Sequence, residues 1–247
     1  MMGNTMFNII KKIRYAIFEK GSILETELMW ASLWHEASQG IDWLKNEQLM
    51  LFPGRWAIGY NTMYILARSL NAVKPQNVLE LGLGNSTQII TAYFKNTKSK
   101  QVSHIIVEHD KDWVKFYKNE NVLLDTSEIC VCPMHKQNYK SVRNIWCYDG
   151  FQSCVSGKRY GLILIDGPHG SDAKFSRIDI LNIMPENLND SFVIIVDDYD
   201  RVGEKNMVKE LESLLQRNHI SYKKGVYPGE KECCVIVSED NAFLTSL

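Results

Sequence analysis

The stretch Asn77–Thr87 reads Asn-Val-Leu-Glu-Leu-Gly-Leu-Gly-Asn-Ser-Thr, and it constrains the fold more than any other part of the chain. Val78, Leu79 and Leu81 make a short apolar strand, Gly82 and Gly84 a turn free of Cβ atoms, and Ser86 and Thr87 can open a helix. A strand that runs through a glycine turn into a helix N-terminus is where α/β proteins hold nucleotide-like ligands, because free N–H groups and aligned peptide dipoles gather there. Glu80 stands inside that strand, just ahead of the glycines. A pyrophosphate would be repelled by this carboxylate, whereas a cationic ligand end would be held. The third glycine of a dinucleotide fingerprint is absent.

A second apolar run, Ile105, Ile106 and Val107, ends in Glu108-His109-Asp110. An acid at the tip of the second strand suits the two hydroxyls of a ribose. Asp110 and Asp112 precede Trp113, Val114, Phe116 and Tyr117, which predicts a helix capped by Asp110. With these residues the sequence resembles motif I of the class I S-adenosylmethionine-dependent methyltransferases. The resemblance implies that Glu80, Gly82, Gly84, Ser86 and Thr87 surround the methionine end of that cofactor, with its amino group and sulfonium, and that Glu108 and His109 lie at the ribose.

Other segments set the frame. The 247 residues suit one α/β domain with an appendage. A formal net charge of −1 gives no electrostatic case for nucleic acid. No apolar run approaches the ~20 residues of a membrane span, and Met1-Met2-Gly3-Asn4 lacks the features of a signal peptide. Cys130, Cys132, Cys147, Cys154, Cys233 and Cys234 have no zinc-type spacing, which predicts reduced core thiols in a cytoplasmic protein. Residues 5–20 predict a basic amphipathic helix that either lies on an anionic membrane surface or packs on the domain or a sister subunit in a homo-oligomer. Residues 22–50 read as a second and third helix, Phe52–Trp56 as a loop and 61–71 as a further helix. The boundaries are a helical extension over 1–72, serving as a lid or an oligomer contact, and a cofactor-binding catalytic domain over 73–247.

Later strands are expected at 129–131, 160–165, 192–196, 220–227 and 232–238, with a helix over 204–217 and an irregular stretch at 133–158. Alternating strands and helices predict a doubly wound, mostly parallel sheet. The methyltransferase resemblance implies seven strands in a Rossmann-like arrangement, order 3-2-1-4-5-7-6, with an antiparallel end.

Ligands in open α/β sheets bind beyond the carboxyl ends of the strands. Here two of those ends carry Asp166-Gly167-Pro168-His169 and Asp197-Asp198-Tyr199-Asp200. Tips of neighbouring strands lie ~4.8 Å apart, and two carboxylates ~4 Å apart repel by about 4 kcal/mol at an effective dielectric of 20. Asp166, Asp197 and Asp198 therefore require a proton or a cation, most simply Mg²⁺ with its oxygen ligands. Such an ion would lower the pKa of an acceptor hydroxyl and orient it, with His169 taking the proton, or Asp166 or Asp198 doing so through the metal shell.

The pair Ile165-Asp166-Gly167…His169 and Ile195-Val196-Asp197-Asp198-Tyr199 resembles the metal-dependent O-methyltransferases of sugars and macrolide glycosides, in which the matching aspartates hold the metal; carried over, these are Asp166, Asp197 and Asp198. Pro168 directly after Gly167 departs from that pattern. Leu81-Gly82-Leu83-Gly84, Val107–Trp113 and Asp166-Gly167-Pro168-His169-Gly170 are also similar, more weakly, to plant glucuronoxylan methyltransferases. Both resemblances cover roughly residues 75–200 and imply a carbohydrate or other small-molecule hydroxyl as acceptor.

Blander roles stand beside these. Asp197 and Asp198 can cap a helix, His169 can be a plain loop residue, and Arg177 with Asp179 can form a local helix pair. Arg177 and Arg201 can instead meet an acidic sugar, Trp56 and Tyr60 can wall the cleft, and His135 and Gln137 can approach the adenine. The expected activity is divalent-cation-assisted O-methyl transfer; a nicotinamide-dependent oxidoreductase and a catalytically silent scaffold are the alternatives. A lysine or arginine buried among the acids as permanent counter-charge would undercut that expectation.

Overall fold

Tyr160–Ile165 is buried at every position, and this strand (β6) is the middle of the sheet. A strand without polar alternation needs helices on both faces of its sheet, as parallel α/β sheets have. The computed structural model describes residues 2–54, 56–99, 101–170 and 173–246, without the side chains of residues 2–20. Around β6 lie β1 (Asn77–Leu81), β2 (Ser103–Glu108), β3 (Ser127–Val131), β7 (Leu188–Val196), β8 (Lys223–Tyr227) and β9 (Cys233–Val237). Their order is β3-β2-β1-β6-β7-β9-β8. The first five are parallel, and β9 is antiparallel to both β7 and β8. This is the expected order 3-2-1-4-5-7-6 once two strands of a separate hairpin are counted.

That hairpin corrects the irregular reading of 133–158. Met134–Tyr139 (β4) and Val142–Tyr148 (β5) pair antiparallel, and the short helix α5 (Phe151–Val155) follows. The Met-His-Lys-Gln-Asn-Tyr of β4 has few good strand formers, so its pairing is set by β5, whose Ile145, Cys147 and Tyr148 are buried in the core.

The helices are α1 (Met2–Gly40), α2 (Tyr60–Val73), α3 (Asn85–Lys95), α4 (Lys111–Glu120) and α6 (Val202–Arg217). Side chains alternate between two cores. Val78, Leu162, Leu164, Val193 and Ile195 meet Met63, Ile65, Leu66 and Leu70 of α2 and Ile89 and Ile90 of α3. Leu79, Leu81, Ile163, Ile165, Ile194 and Val196 meet Met207, Val208, Leu211 and Leu215 of α6. Because α2 shares a core with the sheet, the 1–72 extension and the 73–247 domain are not separately packed at their junction.

The expected second and third helices over 22–50 are one helix and a set of turns. Gly40 ends α1, and residues 41–46 turn instead, with Leu44 N and Lys45 N donating to Ile41 O. Tertiary contacts hold that turn: Trp43 Nε1 donates to Asn71 Oδ1 at 3.2 Å, and its ring meets Tyr93 edge-on at 5.5 Å. The amphipathic expectation for 5–20 lies outside the described residues, since it concerns side chains. Among the described residues no helix is long and apolar enough to cross a membrane. Cys132, Cys147, Cys233 and Cys234 are buried, in keeping with core thiols.

Candidate active site

The chain leaves β1 for β2 on one side and β6 lies on the other, so the tips of β1, β2 and β6 surround the point where the sheet's winding reverses. Gly82 makes the turn there with φ +99°, a conformation that costs an L side chain. Its N–H donates to Val107 O, tying the tips of β1 and β2 together. Gly167 is held to glycine by space: a Cβ there would collide with Tyr148 Oη and come within 3.1 Å of Gly82 N. Beside Gly84, in contrast, a Cβ would meet nothing within 4 Å. The start of α3 therefore opens onto free space. Thr87 Oγ1 closes the turn by accepting from Gly84 N at 3.1 Å.

Glu80 does not face that space. It is fully buried, and its carboxylate accepts from Ser86 Oγ, from Thr87 Oγ1 at 2.9 Å and pairs with His104 Nε2 at 2.9 Å. The expectation of direct contact with a cationic ligand is thus corrected: Glu80 fixes the glycine turn through Ser86 and Thr87. Glu108 sits at the tip of β2 as expected. One oxygen accepts from Leu83 N at 3.1 Å, and the other from His109 N and Asp110 N, with His109 Nδ1 at 2.8 Å. Asp110 caps α4, accepting from Asp112 N and Trp113 N.

Asp166, Asp197 and Asp198 do converge. One ligand atom from each lies within 4.8 Å of the others. Two cations are built in among them. Arg177, 1% exposed, pairs with Asp198 Oδ2 at 2.7 Å, with Asp166 Oδ1 at 3.5 Å and with Glu204 Oε1 at 3.5 Å, and donates to the carbonyls of Pro168, Ile165 and Asp197. Lys231 Nζ lies 2.9 Å from Asp197 Oδ2 and 3.1 Å from Asp198 Oδ1. Thr62 Oγ1 donates to Asp197 Oδ1 at 2.6 Å, and Arg201 Nη1 lies 2.8 Å from Asp198 Oδ2. Arg177 and Asp198 both adopt left-handed backbone, φ 53° and 56°, conformations uncommon outside glycine that the ion pair helps hold.

Asp198 and Asp166 are pushed in opposite directions. Burial raises the Asp198 carboxyl, but Arg177, Lys231 and Arg201 outweigh it and hold the group below its usual range. Burial, then repulsion from Asp197, push Asp166 well above that range despite Arg177 and Lys231. Asp166 is also the most accessible of the three, with its side chain 18% exposed.

A cavity of about 600 Å³ lies beside this cluster, lined by Trp56, Tyr60, His169, Arg201, Glu230 and Lys231 among others. Trp56 is 83% exposed, and its ring lies 5.3 Å from that of exposed His169. Trp56 and Tyr60 thus wall the cleft.

No protein-family model and no curated protein matches this sequence. Solved structures do. The chain is similar to a putative O-methyltransferase from Klebsiella pneumoniae, with a TM-score of 0.51 at 11% identity over 86% of this chain and 89% of the other. It is likewise similar to an O-methyltransferase from Bacillus cereus in complex with SAH, with a TM-score of 0.51 at 14% identity over 84% and 91%. The fold is that of a class I methyltransferase.

In this methyltransferase fold, Arg177 and Asp179 take other partners than expected, and Lys231 and Tyr148 were missed by sequence reasoning. Arg177 and Asp179 were expected as a local pair, with Arg177 alternatively meeting a sugar. Instead Arg177 is buried among the acids, and Asp179 Oδ1 accepts from Tyr148 N at 3.1 Å. Lys231 sits in the β8–β9 turn and gave no sequence signal. Tyr148 comes from the hairpin: its hydroxyl is buried, abuts Gly167, and has no hydrogen-bond partner among the described residues. Burial and the charges of Glu108 and Asp179 keep that phenol protonated. His135 and Gln137 lie on β4, opposite Cys147 and Ile145.

The donor sets decide what each place can hold. Around the glycine turn, an unpaired buried hydroxyl against Gly167 and open space beside Gly84 fit a polar ligand. The acid cluster does not fit a Mg²⁺ ion in the same way. Every oxygen of Asp197 and Asp198 already lies within ion-pair or hydrogen-bond distance of a cation or a hydroxyl, although Asp198 Oδ1 has no hydrogen-bond partner among the described residues, and the chain's own cations offset part of the repulsion that called for a dication.

Proposed function

We propose that this chain is an S-adenosylmethionine-dependent O-methyltransferase acting on a hydroxyl of a sugar or sugar-bearing small molecule. The observation that carries the reading is the β1–α3 turn, with the unpaired Tyr148 hydroxyl at neighbouring Gly167, in a chain that also has a cavity of mixed aromatic and charged lining. Gly82, Gly84, Ser86 and Thr87 shape the cofactor's seat, Glu108 and His109 stand at its ribose, and Tyr148 Oη donates to it. When bound, S-adenosylmethionine supplies an electrophilic methyl group; transfer breaks the S–C bond, forms a C–O bond and releases one proton from the hydroxyl. Asp166 takes that proton, with His169 at the cavity mouth as the nearest alternative. The exposed Trp56 face offers an apolar platform, and Arg201, Glu230 and His169 offer polar groups, a mixture that suits a polyhydroxylated ring. Buried thiols accord with a cytoplasmic setting.

A nicotinamide-dependent oxidoreductase is not favoured, because the sheet closes with antiparallel β9 between β7 and β8 rather than with a sixth parallel strand. Calorimetry with S-adenosylhomocysteine tests the proposal. A saturable one-site isotherm is expected; no heat at about 500 μM, equivalent to binding weaker than roughly −4.5 kcal/mol, removes the cofactor assignment. Tyr148→Phe is expected to weaken that binding about tenfold, the loss of one hydrogen bond. Unchanged affinity in a folded variant would take Tyr148 out of the cofactor's seat.

A further inference from the structure

We propose that Lys231 fills the cation position of the Asp166–Asp197–Asp198 cluster, and that this site works without a bound metal. The role given to the site rests on the methyltransferase reading above, while the ionic assignment stands on geometry alone.

An ammonium group carries three donors. Lys231 Nζ donates to Asp197 Oδ2 and to Ala57 O, both at 2.9 Å, and lies 3.1 Å from Asp198 Oδ1 as an ion pair without a hydrogen bond. It therefore bridges the two aspartates of the β7 tip, as a metal would. The lysine is not a surface side chain that happens to swing in. Its own carbonyl accepts from Asn61 Nδ2 at 2.8 Å, Glu230 N donates to Glu27 Oε1 at 2.6 Å, and Trp30 Nε1 donates to Pro228 O at 2.7 Å. Both ends of the residue are fixed, by α1 and α2 together, and its side chain is only 14% exposed.

The surrounding charge leaves little demand for a further cation. Four carboxylates (Asp166, Asp197, Asp198 and Glu204) face three cations (Arg177, Arg201 and Lys231). A dication entering the cluster would have to expel Nζ and lie close to Arg177, which the fold encloses. Mg²⁺ also demands near-octahedral geometry and usually keeps several waters, while both oxygens of Asp197 and Oδ2 of Asp198 are already held by donors and Asp198 Oδ1 lies against Lys231 Nζ. Asp166, its side chain 18% exposed, is the most accessible of the three carboxylates. Lys231 lends its charge to the cluster without coordinating the acceptor oxygen.

The test is a Mn²⁺ titration of the full chain, followed by the electron paramagnetic resonance signal of free Mn²⁺. The wild-type chain is expected to show no cluster site below about 1 mM. Lys231→Met, which keeps the apolar stem and removes the charge, is expected to bind one Mn²⁺ at least tenfold more tightly, and adding Asp197→Asn should abolish that gain. Two results would overturn the proposal. One is a wild-type site in the micromolar range that Asp197→Asn removes; the other is a folded Lys231→Met chain that binds no more tightly than the wild type. Should Lys231→Met fail to fold, the wild-type titration with its Asp197→Asn control still decides. Calorimetry with S-adenosylhomocysteine is independent of both, so failure of the cofactor reading and failure of this one are separately visible.

Discussion

Replacing Arg177 by methionine is expected to remove about 3–5 kcal/mol of folding stability, the cost of breaking a buried ion pair from one side. The guanidinium is enclosed, so solvent will not make up what is lost. Asp198 loses its 2.7 Å partner, and Glu204 and Asp166 lose partners at 3.5 Å. The carbonyls of Pro168, Ile165 and Asp197 lose a donor as well. Those carbonyls belong to the tips of β6 and β7 and the loop between them, so the side chain pins both strand ends at once. Urea unfolding would measure the effect as a lower midpoint at unchanged slope. Arg177→Lys keeps the charge but not the planar fork, and should fall between the two. A loss below about 1 kcal/mol for the methionine variant would mean that Arg177 is a bystander to the cluster.

Asp166→Asn is expected to lower kcat by about 10²–10⁴-fold, the usual worth of a positioned general base, while S-adenosylhomocysteine affinity and the unfolding midpoint change little. Asp166 is singled out because Asp197 and Asp198 are committed to Lys231, Thr62, Arg177 and Arg201. It is also the most exposed carboxylate of the three. The pH dependence follows from its raised pKa. The proton-accepting form exists only above that pKa, so kcat/KM should fall as pH drops through a value above the ordinary ~3.9 of an aspartate. Turnover of a methyl-accepting glycoside, followed across pH, checks both statements. An Asn variant with the wild-type rate would transfer the proton-accepting role to His169.

Much of this site is legible in the sequence because its parts are local. Glu80, Gly82, Gly84, Ser86 and Thr87 lie in one continuous stretch, where strand, turn and helix start each leave a pattern that needs no partner to be read. Glu108 and Asp166 close apolar runs, and the parallel register then carries their tips together. What escaped reading depends on distant residues. The pairing of Glu80 with His104 exists only because β1 and β2 align Val78 with His104; sequence shows the acid and not its occupied oxygens. Arg177 follows a loop and Lys231 a hairpin turn, positions where a basic residue ordinarily faces water. Their burial is a property of the assembled sheet, and so is the placing of two cations against the acid cluster. Tyr148 belongs to a hairpin whose strands lack the usual β-branched alternation, so neither the element nor its hydroxyl was foreseen.

The anchoring of the β8–β9 turn by Trp30, Asn61 and Glu27 means that the amino-terminal helices act as a mechanical brace for the reaction centre. A chain without those helices would lose one face of the sheet's core along with the anchors of Lys231, leaving a knot of acids one ammonium short.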